Sequence, residues 1–352
     1  MLRILRVWGS SLVWFLVVLS LTVSCRARTP EVATVTTSDK PGTGVTLRPT
    51  ATSYPEEIFT ADIASLGLEE LGYSIAKIKE LDYSLQLVAI ANGEIDFPGI
   101  HYEKLQAGFF KGSGGTKKLM RVGKLYNLIQ GYLIDKATAE KHNIRTIDQL
   151  KDPKLAKIFD TDGDGKANLT GCEPGWSCNK IIDHHIKTYG LTKTVEQDAG
   201  NYSILIADVV TRYKQGSPVL YYFYTPYWIH SDLEWGKDVV ILPVPYTALP
   251  GEQSNVTTAQ TTRDGINYGF EFDTGSFVVS NNFARSNPAA VKFLEQVQVP
   301  EKDMNALSIR AKKGENKRED IRRIAKEWIE SNRKNVDQWL EKARRLKPES
   351  SN

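Results

Sequence analysis

Hydrophobic and polar positions follow two different periods along the chain from about residue 45 onward. Short runs of β-branched and aromatic residues predict strands. These runs are VTLRP from Val45, QGYLID (130–135), PVLYYFY (218–224), VVILPVPY (239–246) and GSFVVS (275–280). Stretches with helical spacing separate them, and strands that alternate with helices predict α/β lobes.

Three helical segments have recognisable ends. The first follows Ser53–Glu56, which fits a capping box with proline in the first turn, and it stops at Gly72. The second begins near Ser177 and ends at Gly190. The last, Glu319–Leu346, is charged, and we interpret its tryptophans as anchors in the core.

The N-terminus has the features of an export signal. Arg3 and Arg6 precede an apolar run, Leu12–Val23, which is too short to span a bilayer comfortably. The run ends in LTVSC, which resembles a lipobox, so residues 1–25 are predicted to be a lipoprotein-type signal peptide and Cys25 the lipidated residue. The alternatives are a conventional signal peptide or an N-terminal anchor. Residues 26–43 are rich in Thr, Pro and Gly and are predicted to be a flexible tether.

Composition narrows the function only slightly. The chain has 352 residues, 41% of them hydrophobic, and a formal net charge of +3, as in an ordinary soluble protein without a nucleic-acid partner. The sequence GSGGTK (112–117) lacks the spacing of a phosphate-binding loop, and no Gly-x-Ser-x-Gly elbow occurs. We therefore predict no enzyme and no cofactor, with a choline-ester hydrolase as the weaker alternative.

The stretch GCEPGWSCN contains two of the three cysteines. Because the N-terminus indicates export to an oxidising compartment, Cys172 and Cys178 are predicted to form a disulfide. The competing interpretation is a zinc site, but two thiols without further ligands are too few for it. A helix that begins at Ser177 leaves the N–H groups of Ser177 and Cys178 free for a carboxylate or phosphate. In the alternative interpretation the turn is only a turn and Trp176 fills core space.

A second aromatic cluster lies in YYFYTPYW, residues 221–228. In a strand, Tyr222 and Tyr224 share one face, and Tyr221 and Phe223 share the other, so that one face can line a cleft. An aromatic wall beside an anion-binding turn suits a zwitterion with a quaternary ammonium group, which has no N–H to donate. An aromatic stripe alone is more often core.

These motifs carry a family resemblance. GCEPGWSC, YYFYTPYW, QGYLIDK and ALPG resemble the glycine betaine/proline betaine-binding proteins of osmoprotectant ABC importers, from Gly44 to about residue 345. The resemblance implies a two-lobed periplasmic binding protein fold (type II-like) with a cleft between the lobes. We expect lobe 1 to comprise residues 44–134 and 272–347, and lobe 2 residues 135–271. The implied partners are a betaine ligand and an ABC permease with its ATPase, on the outer side of a bacterial membrane.

The resemblance also implies a set of ligand-binding residues. The family's three-tryptophan box falls at Tyr102, Trp176 and Tyr224, so two of the three are tyrosine here. The backbone amides of Ser177 and Cys178 would hold the carboxylate, and Gln106 stands where the family has a histidine. Other ligands remain open: proline betaine, carnitine and choline.

An acidic loop resembles part of a calcium site. Asp160, Asp162 and Asp164 with Gly165 imitate the first half of an EF-hand loop, but Gly171 stands where the bidentate glutamate is needed. We predict a solvated turn without metal and keep calcium as the weaker alternative.

Overall fold

A computed structural model describes residues 39–346. The predicted signal peptide, Cys25 and the first part of the predicted tether lie outside these residues. Gly42 donates its N–H to Leu71 O at 2.9 Å and Arg344 contacts Asp39 O, so the chain already contacts the folded body at residues 39–42. Within the described part, no helix is both long and apolar enough to cross a bilayer.

Fourteen strands are described, and they overlap every run predicted from the sequence, although the run 239–246 is a strand only over Val239–Ile241. Their bounds are β1 (Thr46–Leu47), β2 (Pro49–Ala51), β3 (Ser74–Ile75), β4 (Lys79–Glu80), β5 (Phe97–Pro98), β6 (His101–Tyr102), β7 (Leu119–Asp135), β8 (Ala167–Thr170), β9 (Val195–Asp198), β10 (Leu220–Thr225), β11 (Val239–Ile241), β12 (Thr262–Arg263), β13 (Ile266–Asn267) and β14 (Asp273–Ser280).

Thirteen α-helices accompany these strands in the described region. Their bounds are α1 (Pro55–Glu70), α2 (Tyr83–Ala91), α3 (Ala107–Gly112), α4 (Lys136–Lys141), α5 (Pro153–Ala156), α6 (Ser177–Thr188), α7 (Tyr202–Lys214), α8 (Thr258–Thr261), α9 (Asn281–Ser286), α10 (Pro288–Gln296), α11 (Glu301–Lys312), α12 (Arg318–Ser331) and α13 (Arg333–Arg344).

One long strand connects two halves of the main sheet, whose order is β6-β14-β7-β10-β8-β9 with β11 also paired to β7. The first part of β7, up to Leu128, pairs with β14, and its last part, from Ile129, pairs with β10 and β11. The remaining strands form small parallel or antiparallel sheets.

The apolar core follows the same division. One large cluster contains Phe59, Phe97, Phe277 and Trp328, and a second contains Tyr132, Ile182, Tyr221 and Phe223. The two clusters are the cores of the two lobes, which makes the protein a two-lobed α/β molecule, as predicted.

One local prediction, the capping box at Ser53–Glu56, was wrong. The N-cap of α1 is Tyr54, whose side chain makes no capping hydrogen bond, because Pro55 occupies the first helical position and leaves Ser53 one residue too early. The C-terminal segment is helical, as predicted, and consists of two helices. Asn332 ends α12 with backbone and side-chain hydrogen bonds to Trp328 O and also precedes α13.

Candidate ligand-binding site

A cavity lies where the two lobes face each other. Elements α1, β6 and β7 line one side, and α6 and β10 line the other. Half of the lining is aromatic: Tyr54, Tyr83, Tyr102, Tyr126, Trp176, Tyr222 and Tyr224. The rest is Glu56, Glu57, Leu105, Gln106, Leu128, Ser177 and Pro226. The three aromatic residues singled out in the sequence, Tyr102, Trp176 and Tyr224, are therefore in one cavity.

Trp176 is in contact with aromatic rings of both lobes. Its ring centroid lies 5.0 Å from that of Tyr54 and 6.1 Å from those of Tyr83 and Tyr224. Tyr83 in turn lies 6.3 Å from Tyr102. The aromatic wall is thus larger than three rings.

Tyr54 and Tyr83 were missed by the sequence analysis. Each is an isolated tyrosine beside the first turn of a helix, at the N-cap of α1 and at the first residue of α2. No local period distinguishes such a residue from any surface tyrosine, because only its tertiary contact with Trp176 brings it to the cavity.

The two faces of β10 divide as the alternation predicts. Tyr222 and Tyr224 line the cavity, whereas Tyr221 and Phe223 are fully buried on the opposite face. The Tyr222 hydroxyl donates to Gln130 Oε1 at 2.7 Å, which holds the ring in place.

The N-terminus of α6 lies at the cavity, where Ser177 is a lining residue and Cys178 is not. Helix α6 begins at Ser177, and among residues 39–346 no backbone acceptor pairs with the N–H of Ser177 or Cys178. Such groups at the positive end of a helix attract an anion. The predicted disulfide between Cys172 and Cys178 is confirmed, and it ties this helix start to the preceding turn.

Gln106 presents a free amide to the same cavity. The side chain is 3% exposed, and its Oε1 lies 2.8 Å from His101 Nδ1 and 3.3 Å from the N–H of Tyr102. Its Nε2 has no hydrogen-bond partner among the described residues. A buried donor without an acceptor is unfavourable, so this atom is suited to a ligand oxygen.

Two adjacent glutamates of α1 also line the cavity. Glu57 accepts hydrogen bonds from the Thr52 N–H at 3.0 Å and from the Tyr83 hydroxyl. Burial nevertheless raises the pKa of Glu57 to about 7. Burial also raises the pKa of Glu56, which accepts from the Ser308 hydroxyl through Oε1, while its Oε2 is unpaired within the described chain. Sequence reasoning missed both groups, whose ionised form a cation bound in the cavity would favour.

Polar contacts join the two lobes around the cavity. The Tyr54 hydroxyl donates to Glu173 Oε2 at 2.6 Å, and Lys111 Nζ lies 2.9 Å from Glu252 Oε1. On another side, Lys312 Nζ lies 2.6 Å from Asp232 Oδ2. The lobes are therefore in contact over the site, in a closed arrangement.

The acidic loop is remote from the cavity. One carboxylate oxygen from each of Asp160, Asp162 and Asp164 lies within 4.8 Å of the others. These side chains already accept backbone N–H groups, including those of Gly163 and Lys166. This arrangement is typical of a turn held by aspartates.

A two-lobed α/β body with an aromatic cavity between its lobes defines a substrate-binding protein that closes on a small ligand. Residues 45–331 match the family described as the substrate binding domain of the ABC-type glycine betaine transport system, and the chain belongs to that family. This family is named for substrate binding in transport rather than for catalysis.

Individual proteins agree with this assignment. The chain is 44% identical over 307 residues to the glycine betaine-binding periplasmic protein OusX of Dickeya dadantii, covering 87% of this chain and 92% of that one. It is 42% identical over 307 residues to the glycine betaine/proline betaine-binding periplasmic protein of Salmonella typhimurium, with coverage of 87% and 92%. Its fold matches the glycine betaine, L-proline ABC transporter binding protein ProX from Borrelia burgdorferi, with a TM-score of 0.65, 17% identity and coverage of 85% and 98%.

Proposed function

We propose that this protein captures glycine betaine, or a closely related quaternary ammonium zwitterion, outside the cytoplasm and delivers it to an ABC permease and its ATPase for osmoprotection. One observation carries the proposal: a single cavity combines an aromatic wall with unpaired N–H donors. An aromatic wall is complementary to a quaternary ammonium, and N–H donors are complementary to a carboxylate.

The cation is held by ring faces. Trp176, Tyr102 and Tyr224 form the core of the cage, and Tyr54 and Tyr83 extend it. A quaternary ammonium cannot donate hydrogen bonds, so it interacts with the negative faces of these rings and with nearby negative charge. Each ring contributes about 0.5–2 kcal/mol, so several rings are needed for useful affinity.

The carboxylate is held at the start of α6. The N–H groups of Ser177 and Cys178 and the Nε2 of Gln106 are the donors that suit it. Gln106 is neutral, so the amides and the helix dipole supply most of the attraction. A ligand without a carboxylate, such as choline, leaves these donors unpaired, which favours glycine betaine, proline betaine or carnitine over choline.

Binding and closure are coupled. We assign residues 44–134 and 272–347 to lobe 1 and residues 135–271 to lobe 2, as the sequence predicts, except that residues 129–134 of β7, which pair with β10 and β11, are assigned to lobe 2. Because the cage takes Tyr102 from lobe 1 and Trp176 and Tyr224 from lobe 2, it is complete only when the lobes meet. The interlobe contact between Tyr54 and Glu173 accompanies this state.

We also propose that the N-terminus holds the protein at a membrane. Relatives are named as periplasmic proteins, and we propose that residues 1–25 direct export and that Cys25 is lipidated. Metabolic labelling with a radioactive fatty acid tests the anchor: label is expected on the wild type and not on the Cys25→Ala variant. Equal label on both proteins would place the lipid elsewhere.

Calorimetric titration of the purified protein with glycine betaine, proline betaine, carnitine and choline tests the ligand. One-to-one binding of glycine betaine, with choline much weaker, is expected. If none of the four binds, the substitutions at Tyr102, Tyr224 and Gln106 have changed the ligand. Turnover of a choline ester would instead favour the enzyme alternative.

A further inference from the structure

His101 lies behind the cavity and is completely buried in β6. Its ring stands between two polar side chains. Nδ1 is 2.8 Å from Gln106 Oε1, and Arg121 Nε donates to Nε2 at 3.3 Å. His101 does not line the cavity itself.

In the series of hydrogen bonds from Arg121 through His101 to Gln106, the available donors determine which atom donates and which accepts. The Nε–H of arginine can only donate, so Nε2 of His101 accepts and the ring proton is on Nδ1. Nδ1–H therefore donates to Gln106. Burial and the neighbouring Arg121 lower the pKa of His101 to about 3, so the ring is neutral at physiological pH.

The hydrogen bonds at His101 determine the orientation of the Gln106 amide. Both the His101 Nδ1–H and the Tyr102 N–H point to the same end of the amide, and only the oxygen can accept from them. The amide nitrogen is therefore at the other end of a side chain that lines the cavity, and it has no partner among residues 39–346. A flipped amide would place two donors against two donors.

We propose that His101 is a positioning residue for ligand selection: by accepting from Arg121 and donating to Gln106, it holds the Gln106 amide so that Nε2 points to the ligand's carboxylate. This inference rests on the proposed function. It adds a relay, the hydrogen bonds from Arg121 through His101 to Gln106, that fixes which end of the neutral Gln106 amide points to the ligand. The relay also connects Arg121 to the cavity lining, so that the positive charge of Arg121 favours an anion at the cavity.

A double-mutant cycle tests the relay, with glycine betaine affinity measured by calorimetry. His101→Phe keeps a ring beside Phe110, whose centroid is 5.7 Å away, but removes both nitrogens. The substitution is expected to weaken glycine betaine about tenfold, which is the scale of one hydrogen bond. In a Gln106→Leu background the same substitution is expected to cost less than twofold, because the amide it positions is gone.

Conservative and control variants separate positioning from damage to the fold. His101→Asn retains a donor near the Nδ1 position and is expected to bind glycine betaine within about threefold of the wild type. His142→Phe changes a histidine of lobe 2 outside the cavity and is expected to leave affinity unchanged. Equal losses for His101→Phe in both backgrounds, or a loss in His101→Asn as large as in His101→Phe, would overturn the proposal.

Nitrogen-15 NMR of the histidine rings gives a readout that needs no ligand, with the His101 signal assigned by its absence in His101→Asn. A neutral ring protonated on Nδ1 is expected, and protonation on Nε2 would refute the relay. If the wild type binds none of the four ligands, the proposed function fails. The nitrogen-15 signal of the His101 ring still shows whether Nδ1 is protonated and whether His101 therefore positions Gln106. If the wild type binds glycine betaine and the cycle is additive, only the relay fails.

Discussion

Replacing Trp176 by alanine is the most direct test of the cage. The indole lines the cavity and packs on Tyr54 at 5.0 Å from one lobe and on Tyr202 at 5.8 Å and Tyr224 at 6.1 Å from the other. The substitution therefore removes a face for the cation and also an aromatic contact between the lobes in their closed state.

The size of the effect is the sum of these two losses. A cation held against tryptophan in a site without water is worth about 2 kcal/mol. Each lost aromatic pair across the lobes adds roughly 0.5–1.5 kcal/mol to the cost of closing. Trp176 pairs with two rings of the other lobe, Tyr54 and Tyr83, so the losses together amount to about 3–5 kcal/mol, which is a loss of roughly 150- to 5,000-fold in affinity. Trp176→Phe keeps one ring and is expected to fall between alanine and the wild type.

Calorimetric titration with glycine betaine measures the effect, and thermal unfolding of the free protein shows whether the variant is folded. Trp235→Ala is the matched control, because that indole is 38% exposed and packs on Phe223 and His230 outside the cavity. The control is expected to bind like the wild type. A folded Trp176→Ala protein with wild-type affinity would refute the aromatic cage.

Three further predictions concern the cavity and its support. Tyr224→Phe is expected to bind glycine betaine within about threefold of wild type because the ring face remains. Tyr224→Ala is expected to lose about 0.5–2 kcal/mol of binding free energy, measured by calorimetry. Equal losses in both variants would assign the contact to the hydroxyl. The pKa of Glu57 rises from 4.5 to about 7 on folding, so between these pH values the folded state holds a proton that the unfolded state releases. The free energy of unfolding therefore falls by about 3 kcal/mol as the pH rises from 4.5 to about 7. Denaturant titration should show a flatter profile for Glu57→Gln, and parallel profiles would contradict this. Replacing Cys172 and Cys178 together by serine opens a loop with a sequence separation of 6 and is expected to lower the free energy of unfolding by about 2 kcal/mol, whereas an unchanged denaturation midpoint would argue against a stabilising bridge.

Local patterns in the sequence were enough for several features. Alternation placed Tyr222 and Tyr224 on one face of β10, and helical spacing placed the start of α6 at Ser177. Both are short-range properties, because side-chain direction repeats every two residues in a strand and about every 3.6 in a helix. The cysteine pair is equally local, since six residues and a turn bring the two sulfurs together.

Other features depend on contacts between distant parts of the chain. Tyr54 and Tyr83 reach the cavity through tertiary contacts with Trp176, and the buried Glu56 carboxylate accepts a hydrogen bond from Ser308, 252 residues away. The relay through His101 needs Arg121 from β7 beside β6, and no spacing in the sequence indicates it. The sequence alone therefore predicted the α/β class from its periodicity, and it predicted the two lobes and three of the aromatic residues that line the cavity from its family resemblance. Tertiary packing decided the remaining rings, the buried carboxylates and the orientation of Gln106, because burial and hydrogen-bond partners are set by neighbours in space and not along the chain.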